Sequence, residues 1–117
     1  MNCDNLDVWK KSVRLSADVY KYFASCKDYG FKDQITRSGL SIASNIAEGM
    51  EKASVKEKLR FLEIAKGSVA EFRTQAYIGV DICYIDKDTG QAWSKDSEHI
   101  FAMINKLQGF LRKKVED

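Results

Sequence analysis

The chain has 117 residues, 44% hydrophobic and 31% charged, with a formal net charge of +2. Those proportions fit one packed domain spanning residues 1–117 and exclude a disordered chain, and so small a charge does not by itself point to nucleic acid. No apolar run reaches the length of a membrane span and residues 1–9 are not a signal peptide, so a cytoplasmic location is expected.

Cys3, Cys26 and Cys83 are odd in number and lack C-x-x-C spacing, which argues against a disulfide framework or a zinc site. The absence of proline points to long helices joined by short connections. The first helix is expected from about Leu6 to Ala24, because Leu6, Trp9, Val13, Tyr20 and Phe23 recur at three- and four-residue steps. Lys10, Arg14, Asp18 and Lys21 mark its solvated side, and residues 25–30 form the expected first turn.

A second helix is expected from Phe31 to Glu48, with Gly49 as its C-terminal stop. Ile35, Gly39, Ile42 and Ile46 make one stripe, and Leu40, Ala43, Ala47 and Met50 a second. The third stripe, Gln34, Ser38, Ser41, Asn45 and Glu48, is polar yet almost uncharged, and Ser38–Ala47 carries no charge at all. A surface helix of a bundle keeps a charged face in water. The missing charge therefore predicts that this helix is covered on a second side, by another copy of the protein.

The third helix is predicted to start at Ser54, where Ser54 and Glu57 match a capping box, and to run to about Ile85. Leu59, Leu62, Ala65, Val69, Phe72, Ala76, Val80 and Cys83 supply a near-heptad seam. Gly67 and Gly79 each cost roughly 1 kcal/mol inside a helix, and close helix approach is the expected compensation. The fourth helix is expected from Asp86–Asp88, or from Ser94 if Thr89-Gly90 turns, to about Lys113. Four helices with short connections predict an all-α, antiparallel up-down-up-down four-helix bundle.

The motifs NIAEG at Asn45–Gly49, S-x-K-E at Ser54–Glu57 and RFLEIAKGSVAE at Arg60–Glu71 carry a likeness, joined by LDVWK at Leu6–Lys10 and GFKDQI at Gly30–Ile35. Together they resemble the four-helix-bundle family of 23S rRNA intervening-sequence proteins, which is related to the accessory proteins of diversity-generating retroelements. The resemblance implies a ring-like homopentamer and, as partners, RNA, DNA or a reverse transcriptase. It covers nearly the whole chain. Met50, Glu51 and Lys52 depart from the aromatic, glycine and arginine usual after NIAEG, which argues against a dedicated phosphate loop there. The proline common before the second helix is also absent, a structurally mild change.

The bundle topology predicts that one end gathers the start of the first helix, the turn between the second and third, and the end of the fourth. Candidate nucleic-acid contacts there are Lys10, Lys11, Arg14, Lys52, Lys56, Lys58, Arg60, Arg112, Lys113 and Lys114. With Lys106 these make eleven cations against eight acids, an excess of three, and the rest of the chain sums to −1. Around a five-fold ring the excess would total about +15, enough to attract a polyanion at low salt. Base-stacking aromatics show no evident interleaving with these charges, which argues against sequence-specific single-strand recognition, so binding is expected to be mainly electrostatic.

Catalysis is not expected, and neither is a metal or other cofactor. His99 is the only histidine and has no nucleophile elbow or E-x-x-H partner. Glu48, Glu63 and Glu71 resemble a carboxylate set, but Glu63 with Arg60 reads as an i,i+3 surface pair. Trp9 and Trp93 read as core residues. Candidate oligomer-interface residues are Ser38, Ser41 and Asn45 on the second helix, with Phe61 and Ile64 outside the seam of the third. Two functions follow from different classes. One is an oligomeric scaffold that binds nucleic acid or a nucleic-acid enzyme; the alternative is an oligomeric protein-interaction module with no nucleic-acid role.

Overall fold

A computed structural model describes residues 6–116 and shows four helices, α1 (Asp7–Tyr22), α2 (Tyr29–Met50), α3 (Val55–Asp81) and α4 (Lys87–Glu116). They run up-down-up-down, each touching only its neighbours around a square, in a rod of 50 × 20 × 20 Å. One core threads all four: Leu15 and Val19 from α1, Ile42 and Ile46 from α2, Leu62, Val69 and Phe72 from α3, and Ile100 and Ile104 from α4. Trp93 is buried against Phe72 and Phe23 at centroid distances of 5.9 and 6.1 Å, and Trp9 packs on the core edge.

Each of α2, α3 and α4 is started by a side-chain oxygen that accepts a backbone N–H of the first turn, one of the groups a helix leaves unpaired. Asp28 accepts from Phe31, Ser54 from Glu57 and Asp86 from Thr89. The predicted Ser54 cap holds, but the reciprocal half of the box does not form: the Glu57 carboxylate accepts from Arg60 instead, at 2.7 Å. The two aspartate caps share one end of the bundle and are tied across it. The Tyr84 hydroxyl donates to Asp28 at 2.8 Å, and the Tyr22 hydroxyl donates to Asp86 at 3.2 Å while accepting the Asp86 N–H at 2.9 Å.

Gly49 is not a stop. It lies within α2, buried, where a Cβ would stand 2.8 Å from the Phe61 Cβ and 3.3 Å from the Lys58 carbonyl oxygen. The glycine is there because the end of α2 presses against α3. Gly79 likewise makes room, for Ile85 and Phe31, whereas a Cβ on Gly67 would meet nothing within 4 Å. Close approach within the chain therefore accounts for Gly79 and not for Gly67. Cys83 leaves the α3 seam altogether. It is exposed in the turn after α3 at a φ of 65°, and the N–H groups of Cys83 and Tyr84 close back on the carbonyls of Val80 and Gly79. That is a Schellman ending with cysteine in the left-handed position usually given to glycine.

Candidate nucleic-acid interface

The polar stripe of α2 finds most of its partners inside the chain. The Ser38 hydroxyl is buried and donates to Gln75 Oε1 at 2.6 Å, Ser41 and Ser68 share a hydrogen bond of 2.9 Å, and Asn45 Nδ2 donates to the Ser41 carbonyl at 2.9 Å. The second cover on α2 is thus α3 of the same chain, which accounts for the missing charge on that side. Ser44 and Leu40 of the uncharged run remain exposed. Ile64 lies on the outer side of α3 and is 42% exposed; Ile78, about four turns further along, and the C-cap Ile82 are each 46% exposed. Phe61 is half-buried beside Gly49.

Cross-helix contacts fix the register of α4. Gln108 donates to Glu63 at 3.0 Å, Lys66 to Asn105 at 2.8 Å and Arg73 to Glu98 at 3.2 Å, so the last turns of α4 lie beside the first turns of α3. On the other side, Lys11 pairs with Asp96 at 3.4 Å, and Asp7 shares a shallow groove with His99, Ala102 and Met103. With 16 residues against 30, α1 stops well short of the end that α4 reaches. From Asp96 to Lys113 is about 25 Å along the helix axis. Lys10, Lys11 and Arg14 therefore sit at mid-height and do not join the others, a correction to the topological assignment.

The remaining candidates do converge. Among the described side chains this end holds eight cations (Lys52, Lys56, Lys58, Arg60, Lys106, Arg112, Lys113 and Lys114) against Glu48, Glu51, Glu57 and Glu63. Several have structural work. Arg60 pairs with Glu57, not with Glu63, which instead faces Lys66 at 3.0 Å and Gln108. The Arg60 hydrogen bond holds the Glu57 carboxyl below its ordinary range, and Gln108 and then Lys66 do the same for Glu63. Lys58 donates to the Met50 carbonyl at 2.8 Å, where it complements the negative end of α2. Lys113 and Lys114 occupy the last turn of α4, where cations are favoured for the same reason. Lys56, Arg112, Lys113 and Lys114 are exposed and have no ion-pair partner among the described residues.

The end also contains aromatic rings that sequence spacing did not associate with the charges. The Lys52 amine and the Arg60 guanidinium lie 4.9 and 4.7 Å from the Phe61 ring centroid, and the Lys114 amine lies 5.1 Å from that of Phe110. Phe110 is 48% exposed. The adjacency of Arg60 and Phe61 and the Phe110–Lys114 spacing of one helical turn were the signals available in the sequence. Elsewhere, an open groove between the end of α3 and the start of α4 is lined by Arg73, Tyr77, Asp81 and Lys87, at the opposite half of the rod. Among the described residues no group of three His, Cys, Asp or Glu side chains is arranged to hold a metal ion, and Glu48, Glu63 and Glu71 are exposed. No described helix is long and apolar enough to cross a membrane.

The chain is similar in structure to a crystallised protein of unknown function from the S23 ribosomal protein family of Bacteroides thetaiotaomicron. The TM-score is 0.81 at 25% identity, over 86% of this chain and 97% of that one. Among curated proteins no sequence matches. The family model described as 23S rRNA-intervening sequence protein matches residues 4–106. With most of the chain matched and the same all-helical fold, this protein belongs to the 23S rRNA-intervening sequence protein family.

Proposed function

We propose that this protein is a cytoplasmic, non-catalytic homo-oligomer, pentameric as the family likeness implies, that binds RNA or DNA electrostatically through the end where α2 turns into α3 and α4 finishes. The observation that carries the reading is the cluster of exposed cations Lys56, Arg112, Lys113 and Lys114 on an end with twice as many basic as acidic described side chains. In one protomer that asymmetry is weak. With Glu116 and Asp117, which follow Lys114 in the sequence, also counted, the excess is about two per protomer, so a five-fold ring that aligned the ends would present about +10 on one rim, a field that concentrates a polyanion and weakens with salt.

Assembly is supported by the exposed Ile64 and Ile78 of α3 with Ile82 at its C-cap, and by Val13, Tyr20 and Leu40 on the α1 and α2 surface. Two apolar faces on different sides of one rod suit a head-to-tail contact, the kind that closes into rings. The same faces favour the second reading, an oligomeric interaction module indifferent to nucleic acid, while a reverse transcriptase is the protein partner that the family likeness adds. Retention on heparin and on labelled RNA at rising salt separates the two. The proposal requires binding at low ionic strength that is lost as salt rises, and no retention at low salt would reject it.

A further inference from the structure

We infer that the basic end is a stacking site for unpaired nucleobases, so that single-stranded nucleic acid is its ligand class and duplex is not. This rests on the polyanion reading and narrows it. A nucleotide carries its phosphate and its base one sugar apart, and a site that takes single strands offers both a cation and an aromatic face. The end supplies that combination at Phe110. On α4, Phe110 is 48% exposed and carries Lys114 at 5.1 Å, one helical turn further along. On α3, the half-buried Phe61 is already covered by the Lys52 amine at 4.9 Å and the Arg60 guanidinium at 4.7 Å from its centroid, so it gathers cations at this end without offering a free face.

The position of Phe110 matters as much as its neighbour. The described part of α1 begins at the level of Met103, so the side of α4 that α1 covers higher up runs past it, with Phe110 exposed. Tyr29 and Tyr77 are more exposed still, at 71% and 73%, but both belong to the opposite half of the rod, away from the excess charge. A duplex keeps its bases stacked on one another and would leave the Phe110 ring without a partner, while its phosphates would still meet the lysines.

Fluorescence anisotropy on the full chain decides the point, using labelled oligouridylate of about 20 nucleotides and an RNA duplex of equal length at about 50 mM salt. The expected result is tighter binding of the single strand, weakened about tenfold by Phe110→Ala and retained by Phe110→Trp. Phe110→Ala should leave duplex and heparin binding and the salt slope unchanged. Equal affinity for both forms, or a Phe110→Ala variant that binds the single strand like the parent, would overturn the inference and leave the polyanion reading standing. No binding of any of the three polyanions at low salt would overturn both.

Discussion

Replacing Cys83 by glycine should stabilise the protein. Cys83 occupies the left-handed position that ends α3, at a φ of 65°, and its exposed thiol contributes nothing to the core. That conformation costs an L-residue roughly 1–2 kcal/mol through the crowding of Cβ against the backbone, and glycine is free of it. Against this, glycine loses about 0.4–1 kcal/mol more through its wider freedom in the unfolded chain. The net gain is about 0.5–1 kcal/mol, which for a domain of this size raises the melting temperature by roughly 2–6 °C. Thermal melts followed by circular dichroism, with Cys83→Ala in parallel, separate the backbone effect from the loss of the thiol. Alanine keeps the Cβ and should melt with the parent. A Cys83→Gly variant that melts no higher than Cys83→Ala would show that the left-handed turn costs the cysteine nothing.

Three further outcomes follow from the structure. Gly49→Ala should destabilise by about 1–3 kcal/mol, because the new methyl meets the Phe61 Cβ and the α3 backbone, whereas Gly67→Ala, with open space around it, should gain up to about 1 kcal/mol; urea titrations giving both the same sign would contradict the packing. Asp28 and Asp86 titrate below their ordinary value of 3.8, Asp28 chiefly through the Phe31 N–H and Asp86 through that of Thr89, so the stability they give is complete above that value and lost as pH falls through it toward the lowered folded values. Urea midpoints between about pH 5 and pH 2 should fall less steeply in the Asp28→Asn/Asp86→Asn double variant than in the parent, and parallel curves would count against the two caps. The pair Lys56→Glu and Arg112→Glu should weaken binding to single-stranded RNA and flatten its salt slope by about 1.4, while Lys10→Glu with Arg14→Glu, at mid-height, should do much less; equal losses would show the assignment of the basic end to be mistaken.

The fold was legible because its signals are local. Three-to-four-residue spacing of Leu62, Ala65, Val69 and Phe72 marks one buried face, and Ser54 before a helix-forming run marks a start that the structure keeps. Gly49 misled because a glycine at a helix end and a glycine under a crossing helix look alike in sequence, and the partner that decides, Phe61, is twelve residues away. Cys83 fitted the seam by arithmetic, yet the chain had already turned at Ile82. The basic end was legible only in part, since relative helix lengths set its composition. The spacing located each helix, but the 16-residue length of α1 against the 30 of α4 is what removes Lys10, Lys11 and Arg14 from the cluster. Pairing hid the rest, as Arg60 had carboxylates within reach on both sides and the geometry chose Glu57.

An assembly of this chain with a basic rim should carry nucleic acid with it. Light scattering coupled to size exclusion, run at low salt with and without single-stranded RNA, tests it most directly. The expected particle has a mass of about 66 kDa, five times the 13.3 kDa chain, co-elutes with the RNA and releases it as salt rises. A 13.3 kDa monomer that elutes apart from the RNA at low salt would contradict it.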